Sequence, residues 1–273
     1  MRRPRLRPVV WQPPPASARA RALTGPRPLP PVRVIELNGT GPEDVVVDRA
    51  AAEVLVERVA GERMRFCNNA AVAGDGTVYF SDSSRRFGID HWRGDLLEHS
   101  GTGRLLRRDP GGGVELLLDG LQFANGVALA PDESFVAVAE SGAYRITRLW
   151  LTGERAGRSD PLAENLPGFP DNLALGTDGL IWVALGAPRN PQLDRLHRLH
   201  PSLRQALWAL PEQLQPSPKR TLWVLALDPA GAVVHDLQAP GDAYHFVTGV
   251  REHHGKVYLG SLVERAVAVL DLG

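Results

Sequence analysis

The sequence predicts an all-β chain organised as a β-propeller, a ring of four-stranded blades around a central channel. Three observations predict it. Apolar runs rich in Val, Ile, Leu and Ala are of strand length and are divided by Gly, Asp and Pro turns. A hairpin-forming segment recurs along the chain, in Cys67–Asp82, Ala124–Ala139, Pro170–Ala184 and Val247–Gly260. Each copy opens on a small polar residue, then runs through a strand and an Asp/Gly-type turn into a second apolar strand. Asn68 and Asn125 open neighbouring copies 57 positions apart, a period that suits radial blades better than a sandwich.

Taken in order, residues 1–31 form a Pro- and Arg-rich arm without strand or helix periodicity, and residues 32–273 form the propeller domain. The arginines at 2, 3, 5 and 7 would suit a leader. Trp-Gln-Pro-Pro-Pro at 11–15 replaces the apolar core a leader needs, so cytoplasmic residence is expected. The last blade, 247–273, supplies only three strands, and Val32–Leu37 is expected to add the fourth, joining the chain's two ends. Gly41–Asp48 begins a further copy of the repeat but lacks its second half. Glu43 and Asn68 are 25 positions apart, too few for four strands and their turns, so five blades or one degenerate blade are expected. Between 188 and 218 leucines at 193, 196, 199, 203, 207 and 210 follow helical spacing. A short helical insertion around 190–213, packed on one face of the propeller, is the expectation there.

Composition narrows the function classes. Lys+Arg and Asp+Glu balance at 31 each, which argues against a nucleic-acid or anionic-lipid partner. No run approaches the roughly 20 apolar residues of a membrane span. Cys67 is the single cysteine, so neither an internal disulfide nor a thiolate metal cluster is available. Lysine occurs only at 219 and 256, and this arginine preference, with abundant Ala, Gly and Pro, reads as GC-rich bacterial coding.

The residues that open the repeats are the candidate site. Glu43, Asn68, Asn125 and Asp171, with Asn172 beside the last, start the inner strands and so stand at the channel mouth. Calcium takes six to eight oxygen ligands from carboxylates and amide carbonyls, and two carboxylates with neutral amides suit it. The competing reading is that these side chains satisfy turn backbones, as Asn and Asp do in many β proteins. Spacing alone leaves the two open.

Several segments carry a resemblance. Phe66-Cys-Asn-Asn-Ala-Ala-Val, Tyr79-Phe-Ser-Asp-Ser-Ser84, Phe123-Ala-Asn-Gly-Val-Ala-Leu-Ala-Pro-Asp132, Asn165-Leu-Pro-Gly-Phe-Pro-Asp-Asn172 and Val250–Leu262 closely resemble the strictosidine synthase-like proteins. The likeness is to the branch that holds the adipocyte plasma membrane-associated proteins, beside the gluconolactonase and paraoxonase propellers. It covers almost everything from residue 41 onward. It implies a six-bladed propeller from a group rich in calcium-dependent esterases and lactonases, with Glu43, Asn68, Asn125, Asp171 and Asn172 as channel metal ligands. A second, structural calcium of the paraoxonases is matched at Asp44, but Asn69 stands where an aspartate is expected. Val47–Val56 replaces an inner hairpin that would carry the paraoxonase histidine base, and Thr248 replaces the glutamate of strictosidine synthase.

The expected function is a calcium-dependent hydrolase acting on a small ester or lactone, a small-molecule partner with no nucleic acid and no membrane span. Asp171, Glu43 and His245 are the candidate bases for an attacking water. The alternative is a non-catalytic propeller that binds a ligand and keeps the calcium as a structural bolt. Of the other histidines, His197 and His200, spaced with Asp194 along one helix, read as a solvated face, and His253-His254 as turn residues.

Overall fold

The computed structural model describes residues 3–18, 29–36 and 56–273 of the chain. Strand β1 is Val32–Glu36, and the two-residue strands β2 (Arg58–Val59) and β3 (Glu62–Arg63) form a short ribbon. Four four-stranded antiparallel sheets complete the β structure of the described residues. The first blade is β4 (Cys67–Val72), β5 (Val78–Asp82), β6 (Gly103–Arg108) and β7 (Val114–Leu121). The second is β8 (Ala124–Leu129), β9 (Phe135–Glu140), β10 (Arg145–Trp150) and β11 (Ser159–Ala163). The third is β12 (Gly168–Leu175), β13 (Ile181–Pro188), β14 (Thr221–Leu227) and β15 (Val233–Pro240). The fourth is β16 (Val247–His253), β17 (Lys256–Ser261) and β18 (Ala266–Asp271), with β1 as its outermost strand in the register Val32↔Leu270. The N-terminal segment thus supplies the strand that the last blade lacks; Leu37 lies outside the described residues.

Middle strands bury both faces, which is why they read as unbroken apolar runs. In β13, Ile181, Val183 and Leu185 pack toward the second blade, while Trp182 and Ala184 pack toward the fourth. Strand β14 splits the same way, with Trp223, Leu225 and Leu227 on one side and Leu222, Val224 and Ala226 on the other. This period-two division is the pleat of a strand placed between two neighbours. Inner strand β4 packs on β8, β8 on β12 and β12 on β16. Polar staples reinforce the joints: Val127 N–H donates to Asn69 Oδ1 at 2.8 Å, and Thr177 N–H to a Glu252 carboxylate oxygen at 2.6 Å. The first blade's other face, Phe80 and Leu106, is covered by Val59 of the ribbon with Val56 and Met64.

An all-β propeller with a helical insertion therefore holds. Its described residues show four full blades and one two-stranded ribbon. Glu43, Asp44 and residues 47–55 of the shortened segment lie outside the described residues.

The insertion forms α2 (Pro191–Arg198) and α3 (Pro201–Ala209), after a shorter α1 (Trp92–Glu98) that the leucine spacing did not announce. The helices carry the arm. Leu6 is buried with Phe87, Leu97 and Trp208, and Trp11 stacks on His99 at 4.0 Å between ring centres. The arm's carbonyls are met by side-chain donors: Trp208 to Pro4, Arg204 to Val9, Arg198 to Pro13 and Arg189 to Pro14, all between 2.7 and 2.9 Å. The solvated face expected for Asp194 and His197 is corrected here. Both are buried: Asp194 pairs with Arg189 at 2.8 Å and accepts from Tyr144, and His197 Nδ1 lies 3.1 Å from the buried Arg204. Half of the leucine stripe, Leu199, Leu203 and Leu210, is exposed instead.

Candidate functional site

Equivalent positions of the four inner strands open into one cavity of about 590 Å³. Asn68 from β4, Asn125 from β8, Asp171 from β12 and Thr248 from β16 all line it. Two positions before each stands a phenylalanine: Phe66, Phe123, Phe169 and Phe246, which also line the cavity. The four copies thus share a Phe-x-polar signature in the sequence, whose aromatic half lies outside the polar positions that open the repeat. Phe123 and Phe246 hold the left-handed backbone conformation, at φ 59° and 52°. That conformation is costly for a bulky residue, so surrounding packing must hold these rings at the mouth.

Two glycines make room for the polar residues. A Cβ at Gly126 would fall 2.0 Å from the Leu173 nitrogen, so only glycine lets β8 and β12 come together beside Asn125 and Asn172. A Cβ at Gly186 would lie 3.2 Å from Asp171 Oδ2, inside the space the carboxylate occupies.

Hydrogen bonding orients the amides. The strand register pairs Cys67 with Asp82 and Ala124 with Glu140, which puts Ser83 and Ser141 beside Asn68 and Asn125. Asn68 Nδ2 donates to Ser83 Oγ at 3.0 Å and Asn125 Nδ2 donates to Ser141 Oγ at 3.1 Å. Ser141 donates in turn to the Pro170 carbonyl at 2.5 Å. A carbonyl only accepts, so the single hydroxyl proton is committed there and Ser141 has only lone pairs for Asn125. The amide is thereby fixed with its oxygen turned away from Ser141. Asn125 Oδ1 and Asn172 Oδ1 are both buried without a hydrogen-bond partner. Buried oxygens of that kind are costly unless something electropositive meets them. The donors fit a hard cation that prefers oxygen, and Asn68, Asn125, Asp171 and Asn172 are the described residues that would hold it. Glu43, the other expected ligand, lies outside the described residues.

His245 does not line the cavity; its Nδ1 pairs with Glu264. Asn172, next to Asp171, is buried and is not among the residues that line the cavity. Leu96 and Leu97 of α1, Leu193 and Leu196 of α2 and Leu207 of α3 add an apolar roof. Two strongly shifted histidines sit under the arm. Burial, then the Arg204 charge, lowers the His99 pKa to about 3; burial, then His99 and Arg204, lowers that of His197 to about 3.

Residues 68–154 match the family model for strictosidine synthase. The chain is 38% identical to adipocyte plasma membrane-associated protein of Bos taurus over 212 residues, covering 74% of this chain and 51% of that one. It is 34% identical to strictosidine synthase-like protein 10 of Arabidopsis thaliana, covering 81% of this chain and 61% of that one. The chain thus spans about half to three-fifths of the length of these curated relatives. Among solved structures, a gluconolactonase from Xanthomonas campestris superposes with a TM-score of 0.55 at 18% identity, over 85% of this chain and 66% of that one. That likeness is one of fold. Two expectations are corrected by these relatives. A bacterial source does not follow from arginine-rich coding, since the curated relatives named here are animal and plant proteins. Cytoplasmic residence is overturned by relatives whose name associates them with the plasma membrane. Charge and hydropathy within this stretch report solubility of a surface and not its address. No helix among the described residues is long and apolar enough to cross a membrane.

Proposed function

We propose, from this chain's kinship with the strictosidine synthase-like propellers, that it is a calcium-dependent hydrolase of a small ester or lactone. The observation that carries the reading is the gathering of Asn68, Asn125 and Asp171 from three blades at one apolar cavity, with the Asn125 oxygen buried and unpartnered.

Asn68, Asn125, Asp171, Asn172 and Glu43 are the proposed calcium ligands. When bound there, calcium supplies Lewis-acid polarisation of the ester carbonyl. The chain's own residues do the rest. The four phenylalanines and the leucine roof hold the substrate's carbon skeleton and keep bulk water from its carbonyl. Asp171 or Glu43 accepts the proton of an attacking water as its oxygen bonds to the carbonyl carbon; the C–O bond then breaks and the alcohol leaves with a proton. His245, tied to Glu264 outside the cavity lining, is the third candidate base and the worst placed. Thr248 cannot take up a proton at neutral pH as a glutamate does, so Pictet–Spengler condensation forms no part of the proposal.

The test is to measure bound calcium in the purified protein and assay phenyl acetate and a lactone panel with and without EDTA. Turnover that disappears in EDTA and in Glu43→Ala is expected. Tight calcium with no hydrolysis would favour the alternative, a binding module with a structural ion. The observation on that side is the two-stranded ribbon that precedes the first full blade. Absence of calcium binding would end both.

A further inference from the structure

The cavity's charges differ from its walls in a way that selects a ligand. Apart from Asp171, the charged residues that line it are Arg93, Arg189 and Lys219. Both terminal nitrogens of Arg189 are engaged, by Asp194, Asn165 and the Pro14 carbonyl, with the guanidinium 4.3 Å from the Tyr144 ring centre and its Nε buried. Arg93 lies over the Trp92 ring at 5.3 Å, within the lining of the same cavity. Lys219 is exposed, and among the described residues it has neither a hydrogen-bond nor an ionic partner. It follows Pro216 and Pro218, whose fixed φ angles stiffen the segment that carries it. In a chain with two lysines, one stands at the edge of this cavity and the other, Lys256, begins β17 and is no part of the lining.

Resting on the reading of the cavity as a substrate site, we propose that it takes an amphipathic acid. Its ester or lactone carbonyl lies at the polar floor, its apolar body lies among Phe66, Phe123, Phe169 and Phe246, and its carboxylate pairs with Lys219. A volume of about 590 Å³ sits in the range of small-molecule sites, with few polar groups on a mainly apolar wall. Neutral lipophilic esters fill the same walls but leave the ammonium unused. Polyhydroxylated sugar lactones meet aromatic rings where they need donors and acceptors, so the site disfavours them.

The experiment titrates the full chain by calorimetry with 2-naphthoate and, as its neutral counterpart, 2-naphthamide. Wild type is expected to bind the anion about fivefold more tightly, the scale of one partly exposed charge pair, with the preference shrinking as salt is raised. Lys219→Gln removes the preference and leaves 2-naphthamide binding within twofold of wild type; Lys219→Arg keeps it. Lys256→Gln, the same change of net charge away from the cavity, leaves both ligands unaffected. A carboxylate captured at the floor would keep its preference in Lys219→Gln, and that result overturns the proposal. So does equal binding of the two probes by wild type, or no binding of either. Kinetics on 4-acetoxybenzoate and its methyl ester separate this inference from the hydrolase reading. Naphthoate preference without turnover of either ester sinks the enzyme and spares the anion site; turnover of both without preference does the reverse.

Discussion

Replacing Ser141 by alanine tests the site at its most constrained point. The hydroxyl lies 2.5 Å from the Pro170 carbonyl and 3.1 Å from Asn125 Nδ2, and all three groups are buried. Two effects follow from removing it. The Pro170 oxygen and one Asn125 N–H lose their partners, each at about 1–3 kcal/mol, so the apo protein loses about 2–6 kcal/mol of stability. Separately, nothing then dictates which end of the amide faces the channel, and a half-turn about χ2 presents N–H to the cation in place of oxygen. Loss of an outer partner that orients a metal ligand costs about 10–100-fold in affinity. Calorimetric calcium titration of wild type, Ser141→Ala and Ser141→Thr, with urea melts in EDTA, separates the two effects. The expected pattern is weak calcium binding in Ser141→Ala and recovery in Ser141→Thr. Ser141→Ala binding calcium within twofold of wild type, while losing stability in EDTA, would refute the orientation argument and leave Ser141 a staple between blades.

Other outcomes follow from geometry already described. His99 and His197 are held neutral in the fold with pKa values of about 3, against about 6.5 when unfolded, so their stability is complete above pH 6.5 and is lost as pH falls toward 3. Acidifying from pH 7.5 to 5 is expected to cost about 2 kcal/mol per histidine, while Asp95, whose burial raises its pKa to about 7, returns about 2 on protonation, so urea melts across pH should show a net loss of about 2. His197→Gln should remove about 2 kcal/mol of the histidine cost and leave stability nearly flat over this range. Gly126→Ala forces a methyl to within 2.0 Å of the Leu173 nitrogen and is expected to destabilise by at least about 3 kcal/mol, or to prevent folding, as measured by thermal melts of purified protein. Gly186→Ser crowds the Asp171 carboxylate at 3.2 Å; calcium affinity is expected to fall while the melting temperature moves little, and an unchanged affinity would place the carboxylate outside the coordination.

What could be read from the chain followed the physics that is local. Strand runs, turn residues and the repeat are short-range signals, and they led to the blades, to β1 as the completing strand and to Asn68, Asn125 and Asp171 at one cavity. Helix α1 was invisible because seven residues containing Gly94 give less than two clean turns of periodicity; that glycine is needed where a Cβ would meet the Phe87 ring at 2.7 Å. The burial of His197 and Asp194 escapes the sequence pattern for a different reason. Periodicity says which face is apolar, yet α2 and α3 bury polar residues because what lies on them is backbone, not a hydrophobic sheet. Ser83 and Ser141 are ordinary residues in the sequence, and only the cross-strand register reveals that each stands beside an asparagine.

The way α2, α3 and Arg189 grasp the arm has an evolutionary corollary. Proline has no N–H to offer a sheet, so the arginines' contacts fall on carbonyl oxygens that every amino acid possesses, while Arg7, Val9 and Trp11 also donate through their N–H groups. Substitutions at arm positions held only through their carbonyls, such as Val9, should drift with little penalty wherever an extended course is kept, whereas the packed Leu6 and Trp11 and the arginines that clasp the arm should be intolerant of change. A catalogue of natural variants would then show a variable strap held by invariant fingers, the reverse of the usual contrast between a loop and its recognised peptide.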